Sequence, residues 1–178
     1  MAKLVKSNEK QLSENYILYW SQQINSIHGR VKNKGGNKLR TYCKFKCDFA
    51  LEPYLSHVEN VEERAALTKL RLSSHPLNIE ALRGRVQNPD ERLCEMCHFK
   101  SIEDEFHFIG ECPKYQLLRN KFLVPITGQF QNVNALSRDS TAIWLLSNED
   151  KTACKSMAKY IYEGFKLRRQ SVTNNSDK

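Results

Sequence analysis

The sequence predicts a mostly α-helical domain, and three observations carry that reading. Apolar residues recur at spacings of three and four over several segments, the pattern of helices with one buried face. Strand-like alternation is sparse, and no internal repeat stands out. A short stretch, residues 91–115, holds Cys94, Cys97, His107 and Cys112 in the pattern C-x2-C-x9-H-x4-C. Thiolates and imidazole are the donors a tetrahedral zinc ion takes, and four of them in one short span point to a single structural Zn2+. The expected architecture is therefore a small helical domain stapled by a CCHC zinc site.

Composition sets the outer bounds. The chain has 178 residues, 40% hydrophobic and 27% charged, as in one ordinary globular domain. No run of about 18 apolar residues is present, so no membrane span is expected. The N-terminal MAKLVKSNEKQL lacks the apolar core of a secretory signal. Six cysteines then suggest reduced thiols in the nucleus or cytoplasm, with metal binding favoured over a disulfide framework. The net charge is +8 and unevenly placed: residues 1–48 carry ten Lys/Arg against three acids, whereas residues 49–123 are nearly balanced. A basic first quarter suits a polyanion such as RNA or DNA; an ordinary solvated surface is the competing reading.

Taken in order, residues 8–28 read as an amphipathic helix with Leu12, Tyr16, Tyr19, Trp20, Ile24 and Ile27 on one side and Asn8 as its cap. That stripe is either core or a docking face for a protein partner. The linker GRVKNKGGNK (residues 29–38) follows as the best hinge. Residues 39–55 fit a strand or a helix, with helix favoured and Pro53 expected to end it. Cys43 and Cys47 would share a face there, as buried thiols more readily than as ligands with His57 or His75.

Asn60 with Glu63 three residues on marks the start of a helix running to Ser73–Ser74, with Val61, Ala65, Ala66, Leu70 and Leu72 inward. Pro76 restarts the chain into a second short helix ending at Gly84. The pair has a helix-turn-helix outline that a generic helical hairpin shares. Beyond Cys112, Pro113 opens a helix with Leu117, Leu118, Phe122 and Leu123 buried, and residues 124–139 are loop-like. Ser147 with Asp150 caps a terminal helix in which Ala153, Met157, Ile161 and Phe165 repeat every four residues. The tail LRRQSVTNNSDK reads as polar and disordered.

The metal stretch also has its own geometry. Ser101 with Asp104 forms a capping box for a helix from Ile102 to Gly110, which carries His107 between Phe106 and Phe108. On a continuous helix His107 and Cys112 would point about 140° apart, so a break at Gly110 and Pro113 is required. His98 is an awkward alternative ligand beside Cys97. With all four ligands from the protein, no position stays open for water or substrate, which marks a structural ion. Glu103, Asp104 and Glu105 read as first-turn residues favoured by the helix dipole. No phosphate loop, nucleophile elbow or paired-acid motif is present, so no enzyme activity is expected.

Several runs are similar to one family. KLRTYCKFK, EPYL, ERAALTKLRLSSHPLNIEALRGR, CEMC, EDEFHFIGECPKYQLLR and the WLLS-to-FKLRR helix resemble the region after the polymerase in non-LTR retrotransposon reverse transcriptases. The resemblance runs from about Leu39 to Arg168 and is most specific at the ligand set followed by Pro113 and Arg119. It implies zinc ligands at Cys94, Cys97, His107 and Cys112, and RNA or DNA binding in support of target-primed reverse transcription. The polymerase and endonuclease parts of such proteins are missing from this chain.

The resulting expectation is an N-terminal helix and basic linker (1–37), a helical zinc-binding module (38–170) and a disordered tail (171–178). The module would bind nucleic acid through Lys32, Lys34, Lys38, Arg40, Lys44 and Lys46, with Lys69, Arg71, Arg83 and Arg85 nearer the zinc core. The alternatives are a protein-interaction or purely structural module, or a decayed retroelement fragment.

Overall fold

The computed structural model describes residues 10–12, 14–19, 22, 39, 41–46, 50–129 and 136–176. A single turn, α1 (Tyr54–His57), precedes the first long helix, α2 (Val61–Arg71). Asn60 starts α2 as the sequence predicts, its side chain accepting from the N–H groups of Glu62 and Glu63 at 2.9 and 3.1 Å. Ser73, in the left-handed region at φ 49°, ends it. The Ser74 N–H then donates back to the Lys69 carbonyl at 2.8 Å, the closing bond of a Schellman turn in which glycine is usual.

After α3 (Asn78–Ala81) the chain forms the metal-bearing loop, described below. It resumes through a 3-10 turn, Pro113–Tyr115, into α4 (Gln116–Phe122), α5 (Val124–Thr127) and α6 (Arg138–Ser147). The last helix, α7 (Lys151–Ser176), is the longest and packs most extensively against α2. Ala153, Met157, Ile161 and Phe165 are all buried on it, as their spacing predicts. No strand occurs among the described residues, only one isolated bridge between Leu93 and Ile102. No described helix is long and apolar enough to cross a membrane.

Five expectations are corrected. The segment after residue 39 is not a continuous helix: it makes a 3-10 turn at Tyr42–Lys44, and Pro53 starts α1 instead of stopping a helix, because proline lacks only an N–H that a helix start does not need. On α2 the buried positions are Ala66, Leu67, Leu70 and Arg71, while Val61 and Leu72 face outward. On α4 Leu117 is 83% exposed and Arg119 is buried in its stead, while Leu123, just past the helix, is buried as expected. The cap of α7 is Asp150, which accepts from the Ala153 N–H at 2.9 Å; the Ser147 hydroxyl donates to Trp144. Finally, α7 continues through most of the stretch expected to be disordered, because Arg168 anchors that end in the core.

Residues 10–12 and 14–19 are helical, as expected, but Leu12, Tyr16 and Tyr19 are 69%, 54% and 59% exposed. The rest of that stripe (Trp20, Ile24 and Ile27), the linker 29–38 and Cys47 lie outside the described residues.

Candidate metal centre

The C-x2-C half of the site sits on a loop that doubles back on itself. The N–H of Cys94 donates to the Ser101 carbonyl at 2.8 Å and that of Glu103 to Arg92 at 3.0 Å. These bonds close the arms around residues 94–101, and Lys100 turns the chain with φ 52°. Arg92 ties the loop down from below: its buried guanidinium donates to the carbonyls of Ile79, Val86 and Gln87.

The second half comes from a short helix that begins lower than expected. Asp104, not Ser101, caps it by accepting from the His107 N–H at 2.8 Å. The helix then widens into a π-helical turn, His107–Glu111, closed by a bond from the Cys112 N–H to the His107 carbonyl at 2.9 Å. An i-to-i+5 turn brings residues five apart onto one side. The problem of the x4 spacing is thus solved by a wider turn, not by a break at Gly110 and Pro113.

These two halves bring Cys94, Cys97, His107 and Cys112 together, with one donor atom from each all within 4.8 Å of one another. The Cys94 and Cys112 sulfurs are 3.9 Å apart, and the Cys97 sulfur is 3.4 Å from His107 Nε2. Cys94, His107 and Cys112 are buried. This cluster can hold a metal ion with donors from the protein alone. His98 stays outside it, exposed, with its ring edge-on to Phe99.

Glu111 escaped the sequence reading, and Arg119 entered it only within the resemblance, without a role. Glu111 Oε2 lies 3.1 Å from His107 Nδ1, so the ring is oriented with Nε2 towards the sulfurs. A carboxylate behind a ligating histidine fixes its tautomer and raises its basicity. Glu111 is four residues beyond His107 on the same turn, and that spacing was the available signal. Arg119, 7% exposed, donates to the Cys112 carbonyl at 2.7 Å and to Gln116, placing a cation beside a cluster of thiols.

The donors perturb one another. Cys94 is pushed up to about 12, first by its hydrogen bond with Cys112 and then by burial, while that same hydrogen bond pulls Cys112 down. The hydrogen bond between them thus favours the proton on Cys94 and makes Cys112 the easier of the two to ionise. For His107 burial acts downward, but hydrogen bonds with Cys94, Glu111 and Cys97 outweigh it and raise the ring to about 9.

The neighbouring acids are core groups, not dipole-facing surface residues. Glu103 and Glu105 are fully buried. Arg168 donates to both oxygens of Glu103 at 2.8 Å and to Asn78 at 2.9 Å. Glu105 Oε1 meets His75 Nε2 at 2.8 Å and the Ser73 hydroxyl at 3.2 Å. Sequence reasoning missed this because the partners of Glu103 lie 65 and 25 residues away.

The described members of the expected nucleic-acid set differ in exposure and in pairing. Lys32, Lys34, Lys38 and Arg40 lie outside the described residues. Lys44 is exposed, with its ammonium 4.4 Å over the Phe106 ring. Lys46 pairs with Glu52 at 2.9 Å, its side chain 8% exposed. Arg71 is a correction: it is 4% exposed, bonded to Glu52 and the Leu146 carbonyl, and covered by the rings of Phe45 and Tyr54. Its place beside Leu67 and Leu70 on α2 turns it inward, out of reach of a phosphate. Arg83 pairs with Glu80 at 3.1 Å, and Lys69 and Arg85 are exposed. Cys43 is half-buried, and the described residues contain no second group of metal-type donors.

Fold and site together define a helical domain with a closed Cys3His centre. Comparison with known protein families, with curated proteins and with solved structures finds no match.

Proposed function

We propose that this chain is a non-catalytic, zinc-stapled helical module that binds RNA or DNA through phosphate contacts, in keeping with its resemblance to the C-terminal region of non-LTR retrotransposon reverse transcriptases. The observation that carries the zinc reading is the donor geometry. With Zn–S near 2.3 Å and Zn–N near 2.0–2.1 Å, a tetrahedron has edges of about 3.8 Å between sulfurs and about 3.6 Å between sulfur and nitrogen. The corresponding separations here are 3.9 and 3.4 Å. Four protein donors leave no position for a reacting water, so the ion holds the loop and the π-helical turn together. The nucleus or cytoplasm, where thiols stay reduced, suits such a centre.

The nucleic-acid reading rests on the net charge of +8 and on exposed cations such as Lys69 and Arg85. Metal analysis should find one equivalent of zinc, and chelation should lower the thermal midpoint. Cys94→Ser should show the same low midpoint and no further response to chelator. Binding to RNA and DNA oligomers, followed by fluorescence anisotropy across a salt series, should weaken steeply as salt rises. Affinity indifferent to salt, or no binding at low salt, refutes the nucleic-acid reading and leaves the metal reading standing.

A second reading has its own observation. The apolar side chains Leu12, Tyr16 and Tyr19 are exposed on the first helix, as a face that docks on a protein partner would be. Leu12→Asp with Tyr19→Asp would abolish such docking and leave nucleic-acid affinity intact.

A further inference from the structure

Resting on the nucleic-acid reading above, we infer that the groove between α2 and the C-terminal half of α7 is where a nucleic-acid strand lies, with Lys69, Lys166 and Arg169 holding successive phosphates. Lys69 projects from α2, and Lys166 and Arg169 from adjacent turns of α7; all three are exposed. None of them makes an ion pair among the described residues. That separates them from Lys46, Arg71, Arg83, Lys155 and Arg168, whose charges are already matched by carboxylates.

The three cations line one continuous depression. Its wider part, about 470 Å³, is bounded by Lys69 and Arg169, by Ser74 and Thr173, and floored by Phe165. No carboxylate lines this part. An adjoining part shares Lys69, Phe165 and Arg169 and adds Lys166; its one acid, Glu62, already accepts from the Tyr162 hydroxyl at 2.7 Å. Unmatched positive charge in a concave groove whose one carboxylate, Glu62, is held by Tyr162 focuses a field that attracts a polyanion. An apolar floor flanked by hydroxyls suits a sugar–phosphate strand, whose sugars and bases are less polar than its phosphates. From Lys166 to Thr173 the groove follows seven residues of α7, about 10 Å of helix at 1.5 Å each, so it is a linear track and not a point site.

Lys69 is the one position of the three that sequence reasoning had named. Lys166 and Arg169 sit at the end of α7, in and beside the stretch read as a polar tail, and only the continued helix brings them opposite α2.

The test compares a Lys69→Gln/Lys166→Gln/Arg169→Gln variant with a charge-matched control, Lys114→Gln/Lys151→Gln/Lys159→Gln, at exposed positions elsewhere. Probes are an oligouridylate and an oligothymidylate, with affinity measured across a salt series on the full chain. Unchanged metal content and helicity confirm that each variant folds. Losing three phosphate contacts reduces the salt slope by about 2 and weakens binding about a hundredfold at ~0.1 M salt, at ~0.7 in slope for each single-strand contact. The control stays near wild type. A groove variant that binds as tightly as wild type, or a control that loses as much, overturns the groove while leaving nucleic-acid binding intact. Failure of the wild-type chain to bind either probe overturns both.

Discussion

Glu111 shows how much of a metal centre lies behind its ligands. Its contact with His107 Nδ1 decides which ring nitrogen faces the other donors. Glu111→Gln keeps the shape but loses the charge that makes the ring a better donor. Its zinc affinity, read by competition with a chromophoric chelator, should fall about 10- to 100-fold, with the fold intact in the presence of excess metal. The same site predicts a pH dependence. In the metal-free protein His107 holds a proton up to about pH 9, and Cys94 holds one up to about 12. Metal binding needs neutral imidazole and thiolates, so the metal-free state carries more protons and affinity must rise with pH. Competition titrations from the ordinary histidine range to above pH 9 should show a continuous rise, and a flat profile would exclude these donors. The four clustered donors were legible in the sequence because their chemistry and spacing are local. Arg71 was misread because a basic residue in a sequence says nothing about which side of its helix it occupies.

The π-helical turn and the long α7 carry the lesson at the level of elements. Gly164 lies on the buried side of α7, where a Cβ would come within 2.6 and 2.8 Å of the Phe108 ring. Phe108 cannot move aside freely, because it is fully buried and packed against Tyr115, Tyr160 and Phe165. Glycine inside a helix costs about 1 kcal/mol relative to alanine; it persists here because it lets the turn bearing His107 approach α7. Gly164→Ala should therefore destabilise despite its better propensity, since overpacking costs about 1–3 kcal/mol. Denaturant unfolding of Gly164→Ala, Phe108→Leu and the double variant should reveal a coupling of the two sites, with the double variant more stable than the sum of the singles. Additive effects would mean that the clash is relieved elsewhere. The helix starts at Asn60 and the inward repeat of α7 were readable from the chain. The widened turn after Asp104 was not, because no local residue pattern distinguishes it from an α-helix with a break.

Across the whole molecule, a buried ion pair and a buried histidine–carboxylate contact join the metal-bearing segment to the helical frame. Arg168 near the end of α7 holds Glu103, and His75 after α2 holds Glu105. Removing one partner of a buried pair strands the other charge, which costs about 3–5 kcal/mol, whereas replacing both with apolar groups is often neutral. Arg168→Met should thus lower stability by about that amount, and adding Glu103→Leu should recover most of it. If Arg168→Met unfolds at the wild-type denaturant midpoint, the pair does not anchor α7. The consequence for domain organisation is that the stretch containing Arg168 belongs to the core.

By itself the sequence determined the helical class, the four donors and the helix starts at Asn60 and Pro113. These depend on residues within a few positions of one another, so period, capping chemistry and ligand type express them directly. Only the tertiary structure decided which charges are buried and which are free. Arg168 meets Glu103 across 65 residues and Arg71 meets the Leu146 carbonyl across 75, whereas Lys69, Lys166 and Arg169 are left facing one groove. A charge is stable inside only with a partner, and the fold, not the neighbouring sequence, determines where that partner stands.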